Sequence, residues 1–397
     1  MLNNRQITKL SYGLNIICIC AIFIFVYNLY YCRSSSPYGN VATAIQELNL
    51  QNTDTTPTIY HTASEFEIIG KLPNADLYSR LPERAKPHVK EAVWKLSKNT
   101  AGISIRFSSN SSKIKIRWKL RDNVTSSNQT RIASSGFELY AFENSRWQFV
   151  GVAKPAGTID NESVIIEQME HKHREYLLNL PLYDGITSLE IGIDEASSIS
   201  KPRRKIIDSK NPIVFYGTSI TQGASASRPG LTYAALLERN LNTEVINLGF
   251  SGNGKFDKEV ARYIMEAKPA LIVLDCTPNS TGAEIKHNLP ETLDYIKSVS
   301  DTTPIILLES IVRDFAYFKK DDEKLFGTMS FIKGQNQELK KVYETKIESC
   351  KNIFYLSSEN LIGQDHEATI DGTHFNDLGH FRAYEYLKPV IQKILRP

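Results

Sequence analysis

Cysteine is scarce in this chain. Of its five cysteines, Cys18, Cys20 and Cys32 crowd the beginning, leaving only Cys276 and Cys350 for the body of a 397-residue protein. Two thiols make no disulfide framework, so an ordinary apolar core must hold the body together. Cys276 closes an apolar run and Cys350 precedes another, which predicts buried thiols, with a single bridge between them as the alternative. A large charge excess is missing too, the formal net charge being +3. Lys and Arg are scattered except at Lys201-Pro202-Arg203-Arg204-Lys205, which reads as a solvated linker. Without a basic face interleaved with aromatics, nucleic acid is not an expected partner. His171 and His173 point to one side of a predicted strand but have no third ligand near them in the sequence, so they read as surface residues. No metal or organic cofactor is required, and no long apolar segment suggests a lipase lid.

Charge is also absent between Lys9 and Arg33, an interval that contains the run Ile16–Val26. This length can cross a hydrocarbon layer of roughly 30 Å as a helix, and Arg5 and Lys9 favour a cytoplasmic N-terminus with the remainder exported. No small-x-small cleavage site follows, which favours an uncleaved anchor over a signal peptide in residues 1–35. The expected location is the periplasmic or outer side of a membrane, or the secreted fraction if the segment is cleaved.

What is present is ordinary globular material, 41% hydrophobic and 23% charged, enough for two domains. Residues 36–59 are rich in Ser, Thr, Asn and Gln and read as a spacer. Over 60–200 the apolar pattern has period two: Ile103, Ile105 and Phe107, then Ile114, Ile116, Trp118 and Leu120, separated by Ser108–Ser112, predict a β-hairpin. Further strands at 136–142, 147–152, 175–180 and 188–193 predict an antiparallel β-sandwich with Trp94, Trp118 and Trp147 in its core. Over 205–397 strands at 213–216, 244–248, 270–275, 304–308 and 352–356 alternate with helices at 232–240, 257–266, 283–298, 332–348 and 378–395. That alternation predicts an α/β, doubly wound parallel sheet, which binds ligands beyond the carboxyl ends of its strands.

The chemistry is carried by two fragments. The apolar run Ile213–Tyr216 breaks into Gly217-Thr218-Ser219, and far downstream comes Asp371-Gly372-Thr373-His374. A serine hydroxyl is a weak nucleophile until an imidazole takes its proton, and that imidazole needs a carboxylate to fix its tautomer. Asp-x-x-His supplies both from one turn. Ser219, Asp371 and His374 are therefore the expected catalytic residues. His380 reads as a helix-face histidine supporting the site.

These fragments resemble blocks of the SGNH, or GDSL-like, hydrolase superfamily, over about residues 205–397. Gly217-Thr218-Ser219 resembles the nucleophile block, Asn247–Asn253 the second, and Asp371–His374 the last. The resemblance implies an oxyanion hole made by the N–H groups of Ser219 and Gly252 with the Asn279 amide. In the third block Pro278 replaces a glycine and Ser280 an aspartate, which leaves Asn253 as the fallback donor. Upstream, Gly136-Phe137-Glu138-Leu139-Tyr140 is similar to the Gly-x-Asp-Leu-Tyr signature of a β-rich domain fused to such hydrolases, with Glu138 in place of Asp.

The resemblance and the export signal imply a serine esterase that releases small O-acyl groups, acetyl first, from a glycan or small molecule. Lipid or thioester hydrolysis is the alternative within the fold, and a non-catalytic glycan-binding protein the alternative outside it. Gly249–Lys255 also satisfies the phosphate-loop pattern Gly-x4-Gly-Lys, but Phe256 stands where an Mg²⁺-binding hydroxyl is needed. Loops 224–230 and 313–327 are expected to set specificity.

Overall fold

The computed structural model describes residues 56–395. The proposed anchor and most of the spacer lie outside the described residues. Among these residues no helix is long and apolar enough to cross a membrane.

The chain from Pro57 onward forms one compact unit. Its first half contains β1 (Thr58–Thr62), β2 (Glu67–Ile69), α1 (Glu91–Leu96), β3 (Ser104–Ser109), β4 (Ile114–Leu120), α2 (Arg131–Ser135), β5 (Phe137–Glu143), β6 (Arg146–Ala153), β7 (Asp160–Ile166), β8 (Arg174–Asn179), β9 (Ile186–Asp194) and β10 (Ile199–Ser200). One antiparallel sheet has the order β1-β9-β4-β7; the other runs β10-β3-β8-β5-β6, with β2 also on β3. Apolar residues of both inner faces, among them Ile105, Phe107, Ile116 and Trp118, meet in one core.

The expected hairpin does not form. β3 pairs with β8 and β4 with β9, so the two strands lie in opposite sheets. A hairpin would set their apolar rows side by side, whereas here the rows face each other across the sandwich and bury each other. The crossing link is fixed by the buried Asp194 carboxylate, which accepts from Ser111 Oγ at 2.9 Å and from Ser112 N and Oγ at 2.9 and 2.7 Å. The polar face of β3 is buried as well: Arg106 donates to the carbonyls of Ile207 and Arg204 at 3.3 and 3.1 Å. His171 and His173 are exposed, but they sit in the turn before β8 rather than on a strand.

The second half contains β11 (Asp208–Gly217), α3 (Ser219–Gln222), α4 (Tyr233–Leu241), β12 (Thr243–Gly249), α5 (Lys258–Glu266), β13 (Leu271–Asp275), α6 (Gly282–Val299), β14 (Ile305–Leu308), α7 (Met329–Ile347), β15 (Ile353–Leu356) and α8 (Asp377–Leu395). The strands form a parallel sheet in the order β12-β11-β13-β14-β15. This is the expected doubly wound α/β fold, with register Tyr216 to Leu248 on one side and Leu274 on the other. Helices α4 and α8 cover one face, where Leu237 and Leu387 join Phe215 and Val273. Helices α5, α6 and α7 cover the other.

The stretch between β2 and β3, which has no strand pattern, adds Leu72, Leu81, Val93 and Trp94 to that second face. Trp94 therefore belongs to the α/β core and not, as expected, to the sandwich; Trp118 is in the sandwich core. Trp147 is partly buried beside Tyr140 and Ile207. Cys276 and Cys350 are both buried free thiols.

Candidate active site

Strand β11 ends at Gly217 because the next turn leaves no room for a side chain: a Cβ there would lie 2.0 Å from Thr221 Oγ1. Thr218 then caps the single-turn helix α3, accepting from Ile220 N, and Gly223 closes that helix with φ +105°. This strand-turn-helix puts Ser219 at the carboxyl edge of the sheet. Loop 249–255 buttresses the turn from the side. Phe250 N donates to Gly217 O at 2.9 Å, and a Cβ on Gly254 would lie 1.9 Å from that same oxygen. The phosphate-loop pattern is thus spent on packing against the serine turn, and Lys255 is paired with Glu284 at 2.9 Å.

Residues 371–374 bring the other partners to the same edge. Ser219 Oγ lies 2.9 Å from His374 Nε2, and His374 Nδ1 lies 2.7 Å from Asp371 Oδ2. The second carboxylate oxygen of Asp371 accepts from the N–H groups of Thr373 and His374 at 3.0 and 2.8 Å. Burial disfavours the Asp371 carboxylate, but the hydrogen bonds from His374 outweigh it and hold the carboxyl below its ordinary pKa. Ser219 is nearly buried, whereas the Asp371 side chain is about one-third exposed, so the line of three runs from floor to rim.

Gly252, on the loop that buttresses the serine turn, and Asn279 are brought together. With its oxygen toward loop 249–255, the Asn279 carboxamide accepts from Gly252 N at 3.2 Å and from Asn253 N at 3.3 Å, and its NH₂ group faces away from those donors. The short 3₁₀ turn Thr277–Asn279 that carries it is held by Gln335, which donates to the carbonyls of Thr277 and Ser280, and by the buried Arg313, which donates to Pro278 O at 2.9 Å. Ser280, where the related block has Asp, donates to Cys276 O at 3.0 Å. The side chain of Asn253, the fallback donor, is turned back onto Ser251 O at 2.8 Å.

Under the nucleophile turn, buried Asp275 accepts from Thr221 Oγ1 at 2.8 Å and Tyr233 OH at 2.9 Å. Burial pushes its carboxyl up to about 6. His380 is fully buried between Tyr233 N and Ala224 O, at 3.4 and 3.3 Å, and burial pushes its imidazole down to about 4. It is a neutral support, in line with its expected role.

The sandwich reaches this site in ways the sequence pattern did not signal. Asn128 Nδ2 donates to Asp371 Oδ2 at 3.3 Å, and Tyr183 OH donates to Ser219 O at 3.2 Å. Arg80, fully buried, donates to the carbonyls of Asn247 and Gly249 at 3.1 and 2.6 Å and so grips the loop that carries Gly252. Glu138 of the Gly-Phe-Glu-Leu-Tyr stretch, buried to 0% exposure, receives hydrogen bonds from Arg228 and from Gly230 N. Tyr140 of the same stretch lies under the Arg239 guanidinium, 3.9 Å from its ring centroid. That stretch is a latch onto the α/β half. Asn128 lies in a polar loop with no pattern to mark it, and Tyr183 sits within the Pro181–Asp184 run without any sign of its partner.

This arrangement, a serine-histidine-aspartate line at the carboxyl edge of a doubly wound parallel sheet, defines an esterase-type serine hydrolase. Comparison with known proteins agrees. Residues 210–392 match the GDSL-like Lipase/Acylhydrolase family, and residues 58–199 match the N-terminal domain of SGNH-hydrolase-type esterases named GxDLY. The chain is similar to a Bacteroides ovatus ATCC 8483 protein assigned as a GDSL-like lipase, with 36% identity over 86% of this chain and 98% of that one, at a TM-score of 0.80. It shares its fold with the salicylyl-acyltransferase SsfX3 of a tetracycline biosynthetic pathway, at 18% identity over 86% and 98% of the two chains and a TM-score of 0.70. It also shares it with a family two carbohydrate esterase from Cellvibrio japonicus, at 12% identity over 86% and 99% and a TM-score of 0.53. No curated protein matches the chain. The protein belongs to the GDSL-like lipase/acylhydrolase family, and it is a serine hydrolase acting on ester bonds.

Proposed function

We propose that the protein is an exported esterase, anchored by its N-terminal segment, that removes small O-acyl groups, acetyl first, from a carbohydrate. Ser219 Oγ attacks the ester carbonyl while His374 Nε2 takes its proton and Asp371 holds the imidazole. The oxyanion that forms is met by the N–H groups of Ser219 and Gly252, the latter shared with the Asn279 carboxamide oxygen, and by the Asn279 NH₂. His374 returns the proton to the leaving sugar oxygen, giving an acyl-serine. Water, deprotonated by His374, then attacks the acyl carbon and releases the carboxylic acid with Ser219 restored.

The observation that carries this reading is the continuous line Ser219–His374–Asp371, at 2.9 and 2.7 Å. Support for a small acyl group comes from the polar side chains of Asn128 and Tyr183 that meet the line and from the absence of a lid-like apolar segment in the sequence. A sugar alcohol is favoured by the fold shared with carbohydrate esterases. Export rests on the uncharged stretch between Lys9 and Arg33.

The test is hydrolysis of aryl esters of increasing chain length and of acetylated xylose and glucose, by the protein lacking residues 1–35 and by its Ser219→Ala variant. Acetyl turnover that disappears in the variant is the expected result. Preference for long acyl chains would move the substrate to lipid, and equal rates in both proteins would remove Ser219 from the chemistry.

A further inference from the structure

A cleft of about 350 Å³ opens at the same carboxyl edge of the sheet, between the loops that follow β14 and β15. Asp314, Tyr317, Glu359, Gln364 and His366 supply its polar wall and Ile362 part of its apolar one. The cleft is tied to the catalytic loop through Asp314. Its N–H donates to Gly372 O at 3.0 Å, and its carboxylate accepts from Thr369 Oγ1 at 2.6 Å. His366 Nδ1 lies 2.9 Å from the other carboxylate oxygen. His366 itself has a left-handed backbone, with φ +64°.

Two features of the wall are unspent. Tyr317 stands edge-on to His366, ring centroids 5.2 Å apart, with 57% of its surface exposed. Among the described residues neither its hydroxyl nor the Gln364 carboxamide has a hydrogen-bond partner, and each can both donate and accept. An aromatic face beside groups that can both give and take hydrogen bonds suits a sugar ring, whose hydroxyls do the same and whose C–H face is apolar. Two carboxylates and no Lys or Arg line the cleft. An anionic sugar or phosphate would meet like charge there.

We propose that this cleft is a binding subsite for an uncharged sugar unit adjoining the acylated one, so that the protein acts on a neutral oligosaccharide or polysaccharide and selects against uronic acids. The inference builds on the reading of the site as a glycan deacylase. Its test reads binding rather than turnover, so the two can fail separately.

The full chain carrying Ser219→Ala, purified in mild detergent, is titrated calorimetrically with xylohexaose, cellohexaose, mannohexaose and a galacturonic acid hexamer. At least one neutral hexamer should bind while the galacturonate does not. Tyr317→Ala and Gln364→Ala should each weaken that binding by about tenfold. Phe318→Ala, which removes a neighbouring ring that is 91% exposed but does not line the cleft, should leave binding unchanged. The proposal is overturned if no neutral hexamer binds, if the galacturonate binds as well as they do, or if Phe318→Ala weakens binding as much as Tyr317→Ala. Hexamer binding that is lost in Tyr317→Ala would uphold the subsite even if the Ser219 protein hydrolysed no ester.

Discussion

Asn128, in the loop between β4 and α2 of the sandwich, donates a hydrogen bond to Oδ2 of Asp371, the same oxygen that meets His374 Nδ1. The two residues are 243 positions apart in sequence. The β-rich half is therefore part of the orienting apparatus of the proposed triad and not only a neighbour of it. A hydrogen bond to a charged group contributes about 1.5–3 kcal/mol when well made, and less when long and part-exposed as this one is. Asn128→Ala should lower kcat about three- to tenfold with KM nearly unchanged, measured by steady-state hydrolysis of an aryl acetate. A rise in KM alone would make Asn128 a substrate contact instead.

The pH profile follows from the shift on Asp371. Its hydrogen bonds keep the carboxyl below its ordinary pKa, so its contribution to the folded state is complete above the ordinary carboxylate range. That contribution is lost only as pH falls through the depressed value. General-base catalysis by an imidazole predicts an acid limb of slope one in the rate profile while the carboxylate stays charged. Asp371→Asn should cut kcat on the order of 10⁴-fold, by misorienting the imidazole. A rate in the unsubstituted protein that is flat down to pH 4 would rule out His374 as base.

The neighbouring Gly252 and Asn279 predict a kcat effect. Asn279→Ala should reduce kcat on the order of 10²–10³-fold with little change in KM. The opposite split, in which KM rises and kcat holds, would assign Asn279 to ground-state binding.

Two glycines of one loop should behave differently. A Cβ on Gly249 would lie 2.1 Å from Gln222 N, while one on Gly252 meets nothing within 4 Å, although its φ is +71°. Gly252→Ala should cost about 1–2 kcal/mol in urea unfolding, the strain of a left-handed residue. Gly249→Ala should cost more than about 4 kcal/mol or prevent folding. Similar midpoints for the two variants would contradict this close packing against the nucleophile turn.

Stability should also depend on a buried acidic pair behind the sheet. Burial pushes Glu238 up to about 8 and Glu244 up to about 7, despite hydrogen bonds from Val245 N and Gly70 N and the nearby Arg106. Carboxyls raised in this way bind protons in the folded state that the unfolded chain has released, so their effect is increasingly destabilising from the ordinary carboxylate range up to about pH 8. Glu238→Gln keeps an oxygen for Val245 N and removes the charge. Its urea midpoint should gain on the unsubstituted protein between pH 5 and pH 9; a difference constant with pH would mean that Glu238 does not titrate in that interval.

Much of the fold was legible because local pattern and global demand agree. The five parallel strands each carry a short apolar run because helices cover both faces, and each amphipathic helix between them announces itself by its period. Thr218-Ser219 and Asp371–His374 were legible for a related reason: each block is a local turn whose chemistry is complete within a few residues. The hairpin expectation failed because alternation gives a strand its inner face but not its partner; Ile105 and Ile116 show the same period whether they lie side by side or across a core. Trp94 was misplaced because the short helix α1 that carries it lies within the β-rich half of the sequence yet packs on the α/β core.

By itself, then, the sequence determined the alternating α/β body, the β-rich half before it and the residues that form a serine-histidine-aspartate line, since all of these follow from short-range periodicity and turn chemistry. Only the tertiary structure decided that Asn128, Tyr183 and Arg80 reach Asp371, Ser219 and the Gly252 loop, and that Glu138 latches the halves together. Those contacts join segments up to 243 residues apart, and no local periodicity encodes which buried polar groups will meet once two cores have packed.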